Sequence, residues 1–321
     1  MTQQIGQSSA KRVFDTNDSR RIRGNSLYAF VATETWTGGE QRAIAIGGHL
    51  AAVDKIEEND FIQQLCSELG LKGAYIGYRE REEGVWFWSN GSQSTFTHWQ
   101  RAGQPWGSPD NWLGWENAAT IMVEGDSGGE WKGYWNDVPD DGRSVYGEPD
   151  APGVTEIPLS LTTTLPTTIK EGGGEFTISI DLTAGTTSYK YSLVQGAHVW
   201  YVVSGIDSSD LETGYALQGS GVIDANGNIV VDGATTAGIS LALKNDGVTE
   251  TENLGITFYS ADPTTTTEVL ADVQIGTEAT QAVVNGNPLI RGNSLYTIVS
   301  GTWTQSENRA IGIGGFLATI D

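Results

Sequence analysis

The sequence predicts an α+β domain followed by an all-β sandwich. Two observations carry that expectation. The first part of the chain alternates short apolar strands with two amphipathic helical stretches. From about Pro158 onward, helix signals give way to short alternating runs separated by turn residues. A third feature is a repeat, because the opening of the first domain returns near the C-terminus.

In chain order, residues 1–21 read as a mobile polar tail, and Leu27-Tyr28-Ala29-Phe30-Val31 as a strand. A helix follows, with Thr37 as N-cap and Glu40 at the capping-box position, ending at Gly47-Gly48. Leu50 to Val53 reads as a short strand. Asp54 opens a second helix that places Ile56, Phe61, Ile62, Leu65 and Leu69 on or near one face. Tyr75-Ile76-Gly77 and Val85-Trp86-Phe87-Trp88 read as strands, with a tight turn at Asn90-Gly91. Trp36, Trp86, Trp88 and Trp135 are expected in the core. Trp106, Trp112 and Trp115 divide between core and ligand platform.

Composition narrows the function. The 321 residues carry a net charge of -22. Phosphate backbones are held by Lys and Arg, so a nucleic-acid partner is not expected. No run reaches transmembrane length, so membrane insertion is not expected. The polar N-terminus has no apolar core of the signal-peptide kind, so export would take a leaderless route or lysis. Cys66 is the single cysteine, which excludes an intrachain disulfide; it reads as a core thiol. Nothing points to an enzyme. His49, His98 and His198 form no zinc pattern, no Gly-x-Ser-x-Gly elbow or P-loop stands out, and the paired acids Asp140 and Asp141 adjoin a loop with another explanation.

That loop runs from Ser108 to Asp137. Asp110, Glu116 and Asp137 offer carboxylates, while Asn111, Asn117 and Asn136 offer amide carbonyls. Ca²⁺ takes roughly six to eight oxygen ligands in loose geometry, which such a set supplies. Trp112 and Trp115 lie among these residues. An exposed ring beside a cation suits a sugar, whose hydroxyls complete the metal shell while the ring covers an apolar face.

Taken with Gly-Gly-His-Leu at 47–50, Tyr75-Ile76-Gly77, Ser108-Pro109-Asp110, Glu116-Asn117 and Trp135-Asn136-Asp137, the stretch 22–148 resembles the C-type lectin domain. The resemblance implies a calcium site at Asp110, Glu116, Asn117, Asn136 and Asp137. It implies a sugar site at Ser108, Asp110, Trp112, Glu116 and Asn136, and a cis bond before Pro109. Ser108 stands where the family has Glu or Gln. The Pro109-Asp110-Asn111-Trp112 arrangement is similar to galactose-type loops. Ala43, Ala118 and Asp140 occupy positions that are cysteines in animal members, so core packing and metal are expected to hold the domain.

Residues 149–159 read as a linker and 160–276 as the sandwich. Glu171-Gly172-Gly173, the Gly205–Asp210 turn and the acids about Asp246 resemble a Calx-beta domain, an immunoglobulin-like sandwich. That likeness implies a candidate second calcium site at Glu171, Asp210, Asp246 and Glu252; turn and edge chemistry explains the same acids.

Residues 277–289 read as a linker, and 290–321 repeat the start of the lectin-like domain. The repeat is read either as part of a longer array or as an element that completes a neighbouring subunit. Bacterial, particularly cyanobacterial-like, surface proteins and their phages combine such modules, which implies an extracellular, cell-surface or virion location. Two functions follow. One is calcium-dependent carbohydrate binding in adhesion or recognition. The other is a structural or protein-interaction module whose sugar site has degenerated.

Overall fold

The structure is a computed structural model. It describes residues 19–103, 107–123, 131–140, 151–166, 169–245, 253–264, 274–277, 281–291 and 294–298, with residues 306, 308, 310 and 311. The chain forms two compact units. One comprises Met1–Ile22, Ser26–Leu159 and Ala184–Leu193; the other comprises Arg23–Asn25, Ser160–Thr183 and Val194–Asp321.

The first unit mixes strands and helices. Its elements are β1 (Arg21–Arg23), β2 (Ser26–Val31), α1 (Trp36–Ile46), β3 (His49–Leu50), α2 (Ile56–Glu68), β4 (Gly73–Glu82), β5 (Val85–Trp88), β6 (Glu116–Met122) and β7 (Trp135–Pro139), and β8 (Gly153–Thr164) begins in it. Leu27, Tyr28, Ala29 and Phe30 are all buried, so β2 is covered on both faces rather than alternating. Its ladder partner is β8, from Ser26 opposite Pro158 to Val31 opposite Gly153. The expected linker at 149–159 is thus corrected from Gly153 on: Val154 and Ile157 are fully buried, and β2 needs a neighbour for its backbone groups.

Three local expectations shift for identifiable reasons. Thr35, not Thr37, caps α1, its side chain accepting from Gly38 N at 2.9 Å. Thr37 lies inside the first turn, and its N–H donates to Asp140 Oδ1 at 3.0 Å. Helix α2 begins at Ile56 rather than Asp54, because Glu58 accepts the Asp54 N–H at 2.8 Å while held by Tyr28 Oη at 2.5 Å. The strand expected over Leu50–Val53 reduces to His49–Leu50. At the end of α1, Gly47 has φ 95° and ends the helix. A Cβ there would meet Gly185 Cα at 2.6 Å, so the position admits only glycine.

The core between helices and sheet gathers Tyr28, Ile62, Leu65, Ile76, Trp88 and Trp135. Trp36, Leu50, Tyr75, Ala118 and Val138 form a smaller cluster. Cys66 is buried, and burial pushes its thiol well above the ordinary value, so it is an inert packing group. Ala43 and Ala118 are fully buried. The tail expectation is corrected at its described end: Arg20 Nη1 donates to the carbonyl of Ser192 at 2.5 Å, and Arg21 pairs with Glu68 at 3.2 Å.

In the second unit the described elements are strands and one 3-10 turn at Ser208–Asp210, and the described residues 306, 308, 310 and 311 are helical. The strands are β9 (Ile169–Lys170), β10 (Glu175–Ala184), β11 (His198–Ser204), β12 (Gln218–Ile223), β13 (Ile229–Val231), β14 (Ile239–Ala242), β15 (Asn253–Tyr259), β16 (Gln274–Thr277), β17 (Gln281–Arg291) and β18 (Ser294–Ile298). Strands β13, β12, β11, β15, β17 and β18 pair in that order, and β10 pairs with β14. Alternation is clean on β11, where Val199, Tyr201 and Val203 are buried and their neighbours are not. Residues 281–289, read as linker, lie in β17.

Candidate functional site

The site forms where the loop entering β6 meets β7. Backbone bonds pin the loop to β7: Gln100 N donates to Trp135 O at 2.9 Å, Trp135 N to His98 O at 2.8 Å and Ser108 N to Gln100 O at 2.8 Å. The Ser108–Pro109 bond is cis, as the resemblance implies. Strand β7 is fixed from beneath by Asn59 of α2. Its Oδ1 accepts from Trp135 Nε1 at 2.7 Å, and its Nδ2 donates to Gly133 O at 2.9 Å.

Three carboxylates converge there. One oxygen from each of Asp110, Glu116 and Asp137 lies within 4.8 Å of the others. Asp137 is fully buried. Its Oδ2 accepts the N–H groups of Asp110 at 2.9 Å and Asn111 at 2.8 Å, so this side chain shapes the loop. Its Oδ1 is buried without a hydrogen-bond partner. Glu116 Oε2 accepts Trp112 N at 2.8 Å, and Asn111 Oδ1 accepts Glu116 N at 3.1 Å.

Electrostatics state the cost of this arrangement. Burial, above all, raises the Glu116 carboxyl to about 7; the Trp112 N–H opposes the rise, and the charges of Asp137 and Asp110 add to it. Asp137 is raised as well, chiefly by burial. Among the described residues, none of the three is paired with a Lys or Arg.

The residues fit a hard cation on two counts. The donors are all oxygen, and the Asp137 side chain carries a desolvated, orphaned oxygen, Oδ1, a condition that costs about 1–3 kcal/mol unless something binds it.

The other sequence-selected residues fall around this centre. Ser108 Oγ donates to Asn136 Oδ1 at 2.5 Å, and Asn136 Nδ2 donates to Asp137 O at 2.9 Å. Asn117 lines a neighbouring cavity of about 500 Å³ with Trp36, Arg79 and Phe87, and its Oδ1 is buried without a partner. Trp112 is 65% exposed and Trp115 53% exposed, so both rings face outward. Trp36, Trp88 and Trp135 are buried. Trp106 and Asp141 lie outside the described residues.

Sequence reasoning missed three contributors. Asn111 Nδ2 donates to Glu83. Glu80 has a raised carboxyl, mainly from burial, with Glu83 and Asp137 adding to it. Both glutamates sit at the β4–β5 hairpin, and the acidic run Glu80–Glu83 was the available signal. The third is Asn59, which looks like any polar helix residue.

At the candidate second calcium site, Glu171 and Asp210 are buried, and Asp210 Oδ2 accepts Asp207 N at 2.6 Å as part of a capping box. Asp246 and Glu252 lie outside the described residues. Among the described residues, a cluster of three metal-type side chains occurs only at Asp110, Glu116 and Asp137. His49 Nδ1 sits 2.6 Å from Glu40 Oε1, a structural contact.

The chain is similar to known proteins over its first part. Residues 33–145 match the family described as Lectin C-type domain. Galactose-specific lectin nattectin of Thalassophryne nattereri is 30% identical over 106 residues, covering 32% of this chain and 59% of its own length. Ladderlectin of Oncorhynchus mykiss is 27% identical over 121 residues, covering 36% of this chain and 57% of its own length. The chain thus spans less than two thirds of these relatives. Among solved structures, the mouse scavenger receptor C-type lectin carbohydrate-recognition domain aligns with 47% of this chain and 100% of its own, at 23% identity and a TM-score of 0.35.

Proposed function

Taking residues 33–145 as the C-type lectin domain they match, we propose that this chain is a calcium-dependent carbohydrate-binding protein with a galactose-type preference. The convergence of Asp110, Glu116 and Asp137 beneath a loop that presents Trp112 carries the reading. Asp110, Glu116 and Asp137 would hold Ca²⁺, with Asn136, held by Ser108, beside them; Asn117 faces the neighbouring cavity. The cation, when bound, supplies coordination for vicinal sugar hydroxyls. Ser108 holds Asn136 in place, and the Trp112 ring offers an apolar platform for a pyranose face. One curated relative is named as galactose-specific, which supports the preference.

Location and role follow from the same reading. No helix among the described residues is long and apolar enough to cross a membrane. We place the protein outside the cell, at a cell surface or on a virion, in adhesion or recognition. Residues 160–276 are read as a Calx-beta-like sandwich.

A second reading, a structural module with a degenerate sugar site, rests on one observation. Ser108 donates to Asn136 rather than offering a longer carbonyl ligand, so one coordination position is lost.

Calorimetry with Ca²⁺, followed by a glycan array with and without chelator, separates the readings. Calcium binding with chelator-sensitive galactose signals supports the first. Calcium binding with an empty array supports the second. Signals confined to mannose-type glycans overturn the galactose preference.

A further inference from the structure

The sequence Ile22-Arg23-Gly24-Asn25-Ser26-Leu27-Tyr28 returns unchanged as Ile290-Arg291-Gly292-Asn293-Ser294-Leu295-Tyr296. Both copies form a two-stranded hairpin, β1 with β2 in the first and the end of β17 with β18 in the second, where Arg291 stands opposite Ser294. In the first copy, β2 also pairs with β8 in continuous register.

Several residues that seat the first copy are repeated, while the buried Ala29 and Phe30 become Thr297 and Ile298. Ser26 Oγ donates to Glu156 at 2.7 Å, Tyr28 Oη donates to Glu58 at 2.5 Å, and Leu27 is buried. The second copy has Ser294, Tyr296 and Leu295 at these places. In α1, Trp36 Nε1 donates to Ile76 O at 2.7 Å, Glu40 accepts Leu50 N at 2.8 Å, and Ala43 is fully buried. Their counterparts are Trp303, Glu307 and Ala310.

One departure comes with its own compensation. Gly39 becomes Ser306, and a Cβ at residue 39 would meet Thr33 Cγ2 at 3.1 Å. The second copy has Ser300-Gly301 where the first has Ala32-Thr33-Glu34, so the crowding threonine has no counterpart.

A slot that reads these contacts accepts either copy. We propose that residues 290–311 are a second occupant of the slot filled by residues 22–44, and that chains join head to tail, the C-terminal copy of one chain seated against β8 of another. Such a contact is heterologous and leaves a free end on each side, so it builds linear assemblies. The resident copy is tethered, with an effective concentration on the order of millimolar. Exchange therefore loses in dilute solution, and wins where chains are crowded or the resident copy is weakened.

The test weakens the resident copy in the full chain. Leu27→Ala removes a buried side chain from the first copy alone. At about 0.1 mM, within roughly an order of magnitude of the tethered concentration, its mass by light scattering should at least double. Adding Leu295→Ala should return it to one chain. A folded Leu27→Ala chain that stays at single-chain mass overturns the proposal.

Should Leu27→Ala fail to fold, a cysteine pair tests the unweakened chain. Thr155 faces Ala29 in the first copy, so Thr155→Cys combined with Thr297→Cys places thiols where the second copy would meet β8. Slow oxidation traps even a minor population. A ladder of disulfide-linked chains, absent with Thr155→Cys alone, is expected. No cross-link would mark the segment as the opening of a further domain, and a cross-link within one chain as a fold-back; either result overturns the proposal.

Discussion

Asn59 Oδ1 accepts a hydrogen bond from the indole Nε1 of Trp135 at 2.7 Å, and both side chains are fully buried. Through this bond a helix residue fixes the strand that presents Asn136 and Asp137. Asn59→Ala leaves the indole N–H and the Gly133 carbonyl without their partner. Each orphaned group costs about 1–3 kcal/mol, so a loss of about 3 kcal/mol is expected in urea unfolding. Calcium affinity should fall with it, because the carboxylate cluster loses its support. Unchanged stability would show that Asn59 does not anchor β7.

Calcium should stabilise the chain by mass action. At a hundredfold excess over Kd the gain is about 2.7 kcal/mol, visible as a rise in Tm. Glu116→Gln or Asp137→Asn should abolish most of that rise. Asp137→Asn keeps an acceptor for the two loop N–H groups and removes a charge that burial disfavours, so the calcium-free Tm should hold or rise at neutral pH. If millimolar calcium leaves the Tm of the unsubstituted chain unmoved, the cluster is not a calcium site.

Trp112→Ala should separate binding from folding. The ring is largely exposed, so stability should change by less than about 0.5 kcal/mol. Loss of a ring platform should weaken galactose binding by about 1 kcal/mol, roughly fivefold, in calorimetry. Equal affinities for the variant and the parent chain would place the sugar elsewhere.

Asp140 anchors a polar network on α1. Its carboxylate accepts Thr37 N at 3.0 Å and pairs with Arg79 at 3.1 Å, and Arg79 Nη1 donates to Thr37 Oγ1 at 2.7 Å. The guanidinium also lies 4.8 Å over the Trp36 ring. Asp140→Ala breaks a part-buried ion pair and should cost about 2 kcal/mol. Asp140→Asn, which keeps an acceptor for Thr37 N, should cost less. If both variants melt with the parent chain, this network adds nothing to stability.

Glu156 gives a pH dependence. Burial raises its carboxyl, the charges of Glu58 and Asp54 add to that, and the Ser26 hydroxyl opposes it. The folded chain therefore holds this proton more tightly than the unfolded chain. Its contribution is most favourable below the unfolded carboxylate range, and is lost as pH rises through the raised folded value. Glu156→Gln keeps an acceptor for Ser26 and removes the charge. The variant should exceed the parent Tm at about pH 7.5 and match it at about pH 4. A variant less stable than the parent at neutral pH would reverse the sign and refute the argument.

Much of this molecule was legible from residue order alone. Capping and glycine signals located α1, helical periodicity located α2, and alternation announced the strands that follow Pro158, because side-chain direction follows the backbone period. The spacing of Pro109, Glu116 and Asn136-Asp137 named the acids that meet in space. The internal repeat was visible without coordinates, since identity of sequence needs no structure.

Tertiary packing decided the rest. Residue order names every oxygen donor equally and cannot rank them. Only the β6–β7 register and the Asn59–Trp135 bond show that Asp137 spends one oxygen on loop amides and leaves the other orphaned. Asn136 is engaged by Ser108, and Asn117 turns to a neighbouring cavity, although both are asparagines of the same motif. Helix caps moved by one to two residues because Asp140 and Tyr28, distant in sequence, claim the groups that local propensity would have used. Local rules fix which residues can form a helix, a strand or a ligand set. Which of them do so depends on partners that only the folded chain brings within hydrogen-bonding distance.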